Sequence, residues 1–110
     1  MSRSGSWRIF RYADSTGFEP FTQWLLRQDP TIQSRIRNYV ARLESGSLSS
    51  MKWLGGNLGE LRVDVGPGYR IYLTRYGHDV LVLLLGGDKG SQKRDIEQAR
   101  SFVRALKGTT

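Results

Sequence analysis

The chain contains no cysteine and only one histidine among its 110 residues. Disulfides and thiolate metal centres are therefore excluded, and His78 alone cannot build an imidazole metal site. The missing cysteines suit a reducing cytoplasm, which is the expected compartment. No apolar run approaches the roughly 18 residues that cross a bilayer. The opening stretch, MSRSGSWRIF, lacks the apolar core of a secretory leader. Acid is in short supply too: ten carboxylates stand against seventeen bases, for a net charge of +7.

What is abundant is arginine, which supplies thirteen of the seventeen bases. Its planar fork matches phosphate better than a diffuse charge does. Residues 1–51 carry seven bases and four acids, and residues 52–110 carry ten and six. There is no basic tail, so folding must assemble any patch. An anionic partner, nucleic acid or acidic protein, is expected. The 38% apolar and 25% charged composition is that of an ordinary globular chain, and the length suits one domain over 1–110.

Hydrophobic periodicity places the elements. SWRIFRYA alternates as a half-buried strand. Phe18, Phe21, Trp24, Leu25 and Gln28 predict a short helix over about 18–28. Ile32, Ile36, Tyr39, Val40 and Leu43 predict a second helix, ending by Gly46. SGSLSSMKWLGGNLG, from Ser45 to Gly59, reads as a long loop. ELRVDV and YRIYLTRY are strands joined by the GPG turn at 66–68, and VLVLLL at 80–85 is a strand covered on both faces. Asp88 or Ser91 caps a last helix with an inward stripe of Ile96, Ala99, Val103 and Leu106. The expected fold is α+β: strand, helix, helix, then a three-stranded antiparallel meander and a C-terminal helix.

GGDKGS invites comparison with a phosphate-gripping loop, but Lys89 precedes Gly90 and the segment follows the last strand, so the spacing fails. The outward face of the meander is more informative. Alternation puts Arg62, Arg70 and Tyr72 on one sheet face. Two neighbouring arginines repel unless an anion lies between them. Lys89 is placed to close the same hollow, Lys93 and Arg94 to line its rim, and Tyr72 to stack a base. The plainer alternative is that Arg62 pairs with Asp64 or Glu60 while Arg70 extends past the sheet.

Four words carry a likeness to a known family: ELRV, GPGYRIY, LLLGGDK and SQKRDIEQA, which occur in that order within residues 51–107. They resemble the RelE/ParE toxin superfamily, in particular its HigB-like branch of addiction-module killer proteins. The resemblance implies a RelE-like toxin fold and the toxin of a type II toxin–antitoxin system. Such toxins typically cleave messenger RNA at the ribosome, and a cognate antitoxin, in this branch commonly a helix-turn-helix protein, silences them. By the same likeness Arg62 and Arg70 fall where ribonuclease toxins keep basic active-site residues, Lys89 lies near where they carry another, and Lys52 matches a basic residue just upstream of the second strand. Many of those toxins also carry a tyrosine or histidine in the last segment, where KGSQKRDIEQA has neither. Relatives in the superfamily poison gyrase instead.

RNA cleavage requires a deprotonated 2′-hydroxyl, a neutralised phosphorane and a stabilised leaving oxygen. With the lone His78 set in the predicted GHD turn, cations carry most of that work. The expected roles are phosphate binding by Arg62 and Arg70, proton abstraction by Lys89 or Lys52, and positioning by Tyr72. No metal or small-molecule cofactor is expected. The rival readings are a gyrase poison, a basic binding module, and an inactive toxin-fold protein that only binds its antitoxin.

Overall fold

Residues 80–85 are uniformly apolar, and a strand of that composition must be covered on both faces and flanked on both edges. The computed structural model, which describes residues 6–108, places them in β5 (Val80–Asp88), where every residue up to Gly87 is buried. The other strands are β1 (Arg8–Arg11), β2 (Met51–Gly55), β3 (Leu58–Val63) and β4 (Tyr69–Tyr76). Helices α1 (Pro20–Leu26) and α2 (Pro30–Glu44) follow β1. A 3-10 turn (Lys89–Ser91) leads into α3 (Gln92–Gly108). The reading of the first residues as lacking a leader falls outside the described segment.

The expected three-stranded antiparallel meander is not what forms. The sheet has five strands in the order β1-β5-β4-β3-β2, and it is mixed, because β1 runs parallel to β5 while the other pairs are antiparallel. Two physical causes account for the difference. The stretch 45–59, rich in small residues, hides a strand: Met51, Lys52 and Trp53 pair with Leu61, Glu60 and Gly59. Gly56 (φ 61°) and Asn57 (φ 65°) then supply the two left-handed residues of a tight hairpin turn. Asn57 holds the turn by accepting from the Thr74 hydroxyl through its carbonyl, at 2.7 Å. Secondly, β5 needs a partner on its far edge, and β1 fills it, while the helical hairpin carries the chain from there across the sheet to β2 on the opposite edge.

The sheet has a helical layer on each face. Phe21 and Leu25 of α1 and Ile36 and Leu43 of α2 pack on Leu61, Val63, Ile71, Leu73, Leu81 and Leu83. Ala99 and Val103 of α3 pack on the opposite face against Tyr12, Leu58, Tyr72, Val82 and Leu84. Arg100 fastens α3 to the β2–β3 hairpin by donating from Nη1 to the Gly55 carbonyl (3.0 Å) and from Nη2 to that of Leu54 (3.1 Å).

An irregularity in β5 decides which way its two glycines face. The register of the strand against β4 slips between Leu83 and Leu85, a bulge that leaves Leu84 and Leu85 on the same, α3-facing side. Beyond it the alternation is inverted, so Gly86 faces α1 and Gly87 faces α3.

Candidate nucleic-acid cleft

The β3–β4 hairpin aligns its arginines. Arg62 and Arg70 are direct cross-strand partners, and Arg70 is opposite Gly87 on the other side. Residues so paired project from the same sheet face. Asp88 ends β5 and caps the 3-10 turn by accepting from the Ser91 backbone N–H at 3.1 Å. That turn carries exposed Lys89 to the same end of the sheet. The result is a cleft of about 350 Å³ lined by Arg62, Asp64, Tyr69, Arg70, Lys89 and the Gly66–Pro67–Gly68 turn.

Beneath it lies a polar layer under the N-terminal end of α3. Arg70 is held by Glu60, with Nε–Oε2 at 3.5 Å and side-chain exposures of 12% and 3%. Gln92 donates from Nε2 to the same Glu60 oxygen at 2.9 Å. The Ser91 hydroxyl donates to Asp95, which is also buried. Two groups in this layer, Arg70 Nε and the Tyr72 hydroxyl, lack a well-formed hydrogen bond among the described residues. The Tyr72 phenol is pushed well above its ordinary range, first by burial and then by the Glu60 and Asp95 carboxylates.

Pairing sets the net charge of the site. Arg62, Arg70 and Lys89 are opposed by Asp64 in the cleft and Glu60 beneath it, which leaves one net positive charge. Among the described residues Arg62 forms no salt bridge. A buried ion pair of the Glu60–Arg70 kind adds little stability, but it fixes where the guanidinium points. An anion entering the cleft would therefore be held as much by pre-set geometry as by charge.

The paired glycines of GGDKGS do not form a turn. Both lie inside β5, and neither has positive φ. A Cβ on Gly86 would meet the Trp24 ring at 2.3 Å, and one on Gly87 would meet an Asp95 carboxylate oxygen at 1.9 Å. Each glycine thus admits one large or polar side chain against the backbone, one on each face.

The other expected site residues do not join this cleft. Tyr72 is fully buried under α3, so the base-stacking role given to it is corrected: alternation identified its sheet face but not the helix covering that face. Lys52 is exposed on β2 opposite Glu60, two strands from β4. Lys93 and Arg94 are exposed on the first turn of α3; neither lines the cleft, and Arg94 lines a neighbouring one. Reading the sequence offered Glu60 and Asp64 only as partners of Arg62, whereas Glu60 pairs with Arg70, and it gave no role to Tyr69 or Asp95. Tyr69 has a visible signal, since it follows the GPG turn at the sheet end, where side chains of both faces converge. Asp95 has none, because only the space over Gly87 makes its burial possible. Among the described residues no three His, Cys, Asp or Glu side chains are placed to hold a metal ion. No described helix is long and apolar enough to cross a membrane.

No family model matches the chain. It is 34% identical over 87 residues to a Haemophilus influenzae protein described as an "Uncharacterized protein", an alignment covering 78% of this chain and 88% of that one.

Proposed function

We propose that this chain, which belongs to the same family as that Haemophilus influenzae protein, is the toxin of a type II toxin–antitoxin pair in the RelE/ParE superfamily, acting as a ribosome-associated messenger RNA endoribonuclease. The observation that carries the reading is the meeting of Arg62, Arg70 and Lys89 in one cleft sized for a nucleotide's phosphate and ribose. The partners are translated messenger RNA on the ribosome, in the cytoplasm, and a cognate antitoxin of helix-turn-helix type.

In this reading the 2′-oxygen of the substrate attacks the adjacent phosphorus and the bond to the 5′-oxygen breaks, leaving a 2′,3′-cyclic phosphate and a 5′-hydroxyl. Arg62 and Arg70 bind the non-bridging oxygens, whose charge grows in the transition state. Lys89 and Asp64 are the cleft groups able to exchange a proton with the 2′-hydroxyl or the leaving oxygen. Tyr69 takes the positioning role first expected of Tyr72. The chemistry written for these side chains calls for no metal ion. The ribosome's contribution is geometric, since it presents a bent substrate to a site with modest acid–base equipment.

Arg62→Ala and Arg70→Ala should each lower cleavage of translated message on the order of 10²–10³-fold, measured by primer extension after induction. Full cutting and full growth arrest by both variants would overturn the assignment. A second reading rests on the Glu60–Arg70 pair, which already matches one of the cleft's cations. A gyrase poison, or a toxin-fold protein that only binds its antitoxin, would leave transcripts intact; the first would alter DNA supercoiling on induction and the second would leave growth untouched.

A further inference from the structure

The Asp88–Ser91 turn has two sides. One side gives Lys89 to the cleft of Arg62 and Arg70, and the other opens into a second cleft of about 640 Å³. Part of its lining is the segment Leu85–Asp88. β1 stops short, pairing only as far as Leu83, so no strand covers that stretch on this side. One wall comes from Trp24 of α1 and from Phe18 just before it, a ring left 45% exposed. The opposite wall is the start of α3, with Arg94 and Gln98, and Arg27 stands at the end of α1.

These groups have free valence. Arg27 and Arg94 are exposed, and among the described residues neither forms a salt bridge. The lining also holds two acids, each with a partner of its own: Asp88 accepts from the Ser91 N–H and Asp95 from the Ser91 hydroxyl. An exposed aromatic face, two guanidinium forks outside any ion pair and a neighbouring amide are what one unpaired nucleotide needs, for stacking, phosphate binding and base-edge contact. The two clefts also adjoin. They share the turn at 88–91, and the Trp24 ring of the second lies edge-on to the Tyr69 ring of the first, with centroids 6.0 Å apart.

We infer that the second cleft binds the unpaired nucleotide adjoining the scissile phosphate, so that single-stranded RNA crosses the Asp88–Ser91 turn from one cleft to the other. The inference rests on the nuclease reading and adds a register to it. The test uses a six-residue 2′-O-methyl oligoribonucleotide, which binds without being cut, titrated against the full chain by fluorescence anisotropy at fixed salt. Phe18→Ala and Arg94→Gln alter exposed side chains, and their melting temperatures should match the parent. Each is expected to weaken binding about tenfold, the scale of losing one stacked base or one phosphate contact. Affinities within twofold of the parent for both variants would overturn the second site. Cleavage of translated message by the parent chain is scored separately. Cutting with unchanged variant affinities removes the second site alone. Weakened binding by the variants with no cutting by the parent removes the nuclease reading and keeps the second site.

Discussion

Replacing Gly86 by alanine should destabilise the fold, and the size of the loss follows from three distances. The added Cβ would lie 2.3, 2.5 and 2.5 Å from three atoms of the Trp24 ring, where carbon atoms prefer roughly 3.5–4.0 Å. The ring must retreat by more than about 1 Å. It has little room, because Phe21 and Tyr69 lie against it with ring centroids 6.0 Å away on each side. Overpacking of this kind costs about 1–3 kcal/mol, and alanine regains about 0.4–1 kcal/mol by restricting the unfolded chain. The net loss centres on about 1.3 kcal/mol and does not exceed about 2.6 kcal/mol, the central value being a fall in melting temperature of roughly 5–10 °C for a domain of this size. Gly90→Ala is the control. Its Cβ would come no nearer than 3.4 Å to an Asp88 oxygen and its φ is not positive, so its melting point should stay within about 3 °C of the parent. Circular-dichroism melts of the three proteins decide the matter. If Gly86→Ala melts with the parent, or Gly90→Ala falls equally far, the glycines serve the turn and not the approach of Trp24.

Two further outcomes test the polar layer. Tyr72→Phe deletes a buried hydroxyl with no well-formed partner, so stability at pH 7 should change by less than about 1 kcal/mol. Because the folded phenol ionises above its unfolded value, its contribution is intact below about pH 10 and is lost as pH rises through the folded value. Urea titrations at pH 8 and pH 10.5 should therefore show a smaller alkaline loss in Tyr72→Phe than in the parent, and equal losses would contradict the assignment. Glu60→Ala strands an almost buried guanidinium and should cost about 3 kcal/mol by urea denaturation. A loss below about 1 kcal/mol would mean that Arg70 swings to solvent without cost.

The elements with strong periodicity were legible in the sequence. The stripes of α2 and α3, the apolar run of β5 and the alternation through Leu61, Val63, Ile71 and Leu73 each name their own burial. The strand β2 was not, because Gly55, Gly56 and Asn57 look like loop until they are seen to form a two-residue hairpin. For the site, period-two alternation was enough to set Arg62 beside Arg70, and a turn after β5 was enough to bring Lys89 near. It was not enough to show that α3 roofs part of that face, which buries Tyr72 and leaves Arg62 outside. The bulge at Leu84 was equally hidden. A one-residue slip has no compositional mark in a uniform apolar run, yet it decides which glycine meets Trp24 and which meets Asp95.

The parallel pairing of β1 with β5 joins residues about 70 positions apart, the most distant strand pairing among the described residues. At synthesis rates of roughly 5–20 residues per second, the first strand emerges seconds before its neighbour exists. The hairpin bearing Arg62 and Arg70 can close locally as it leaves the ribosome, but Lys89 comes after the strand that completes the sheet. A nascent chain thus carries Arg62 and Arg70 of its cationic hollow early and Lys89 only after β5, so any activity lodged there waits on the strand that completes the sheet.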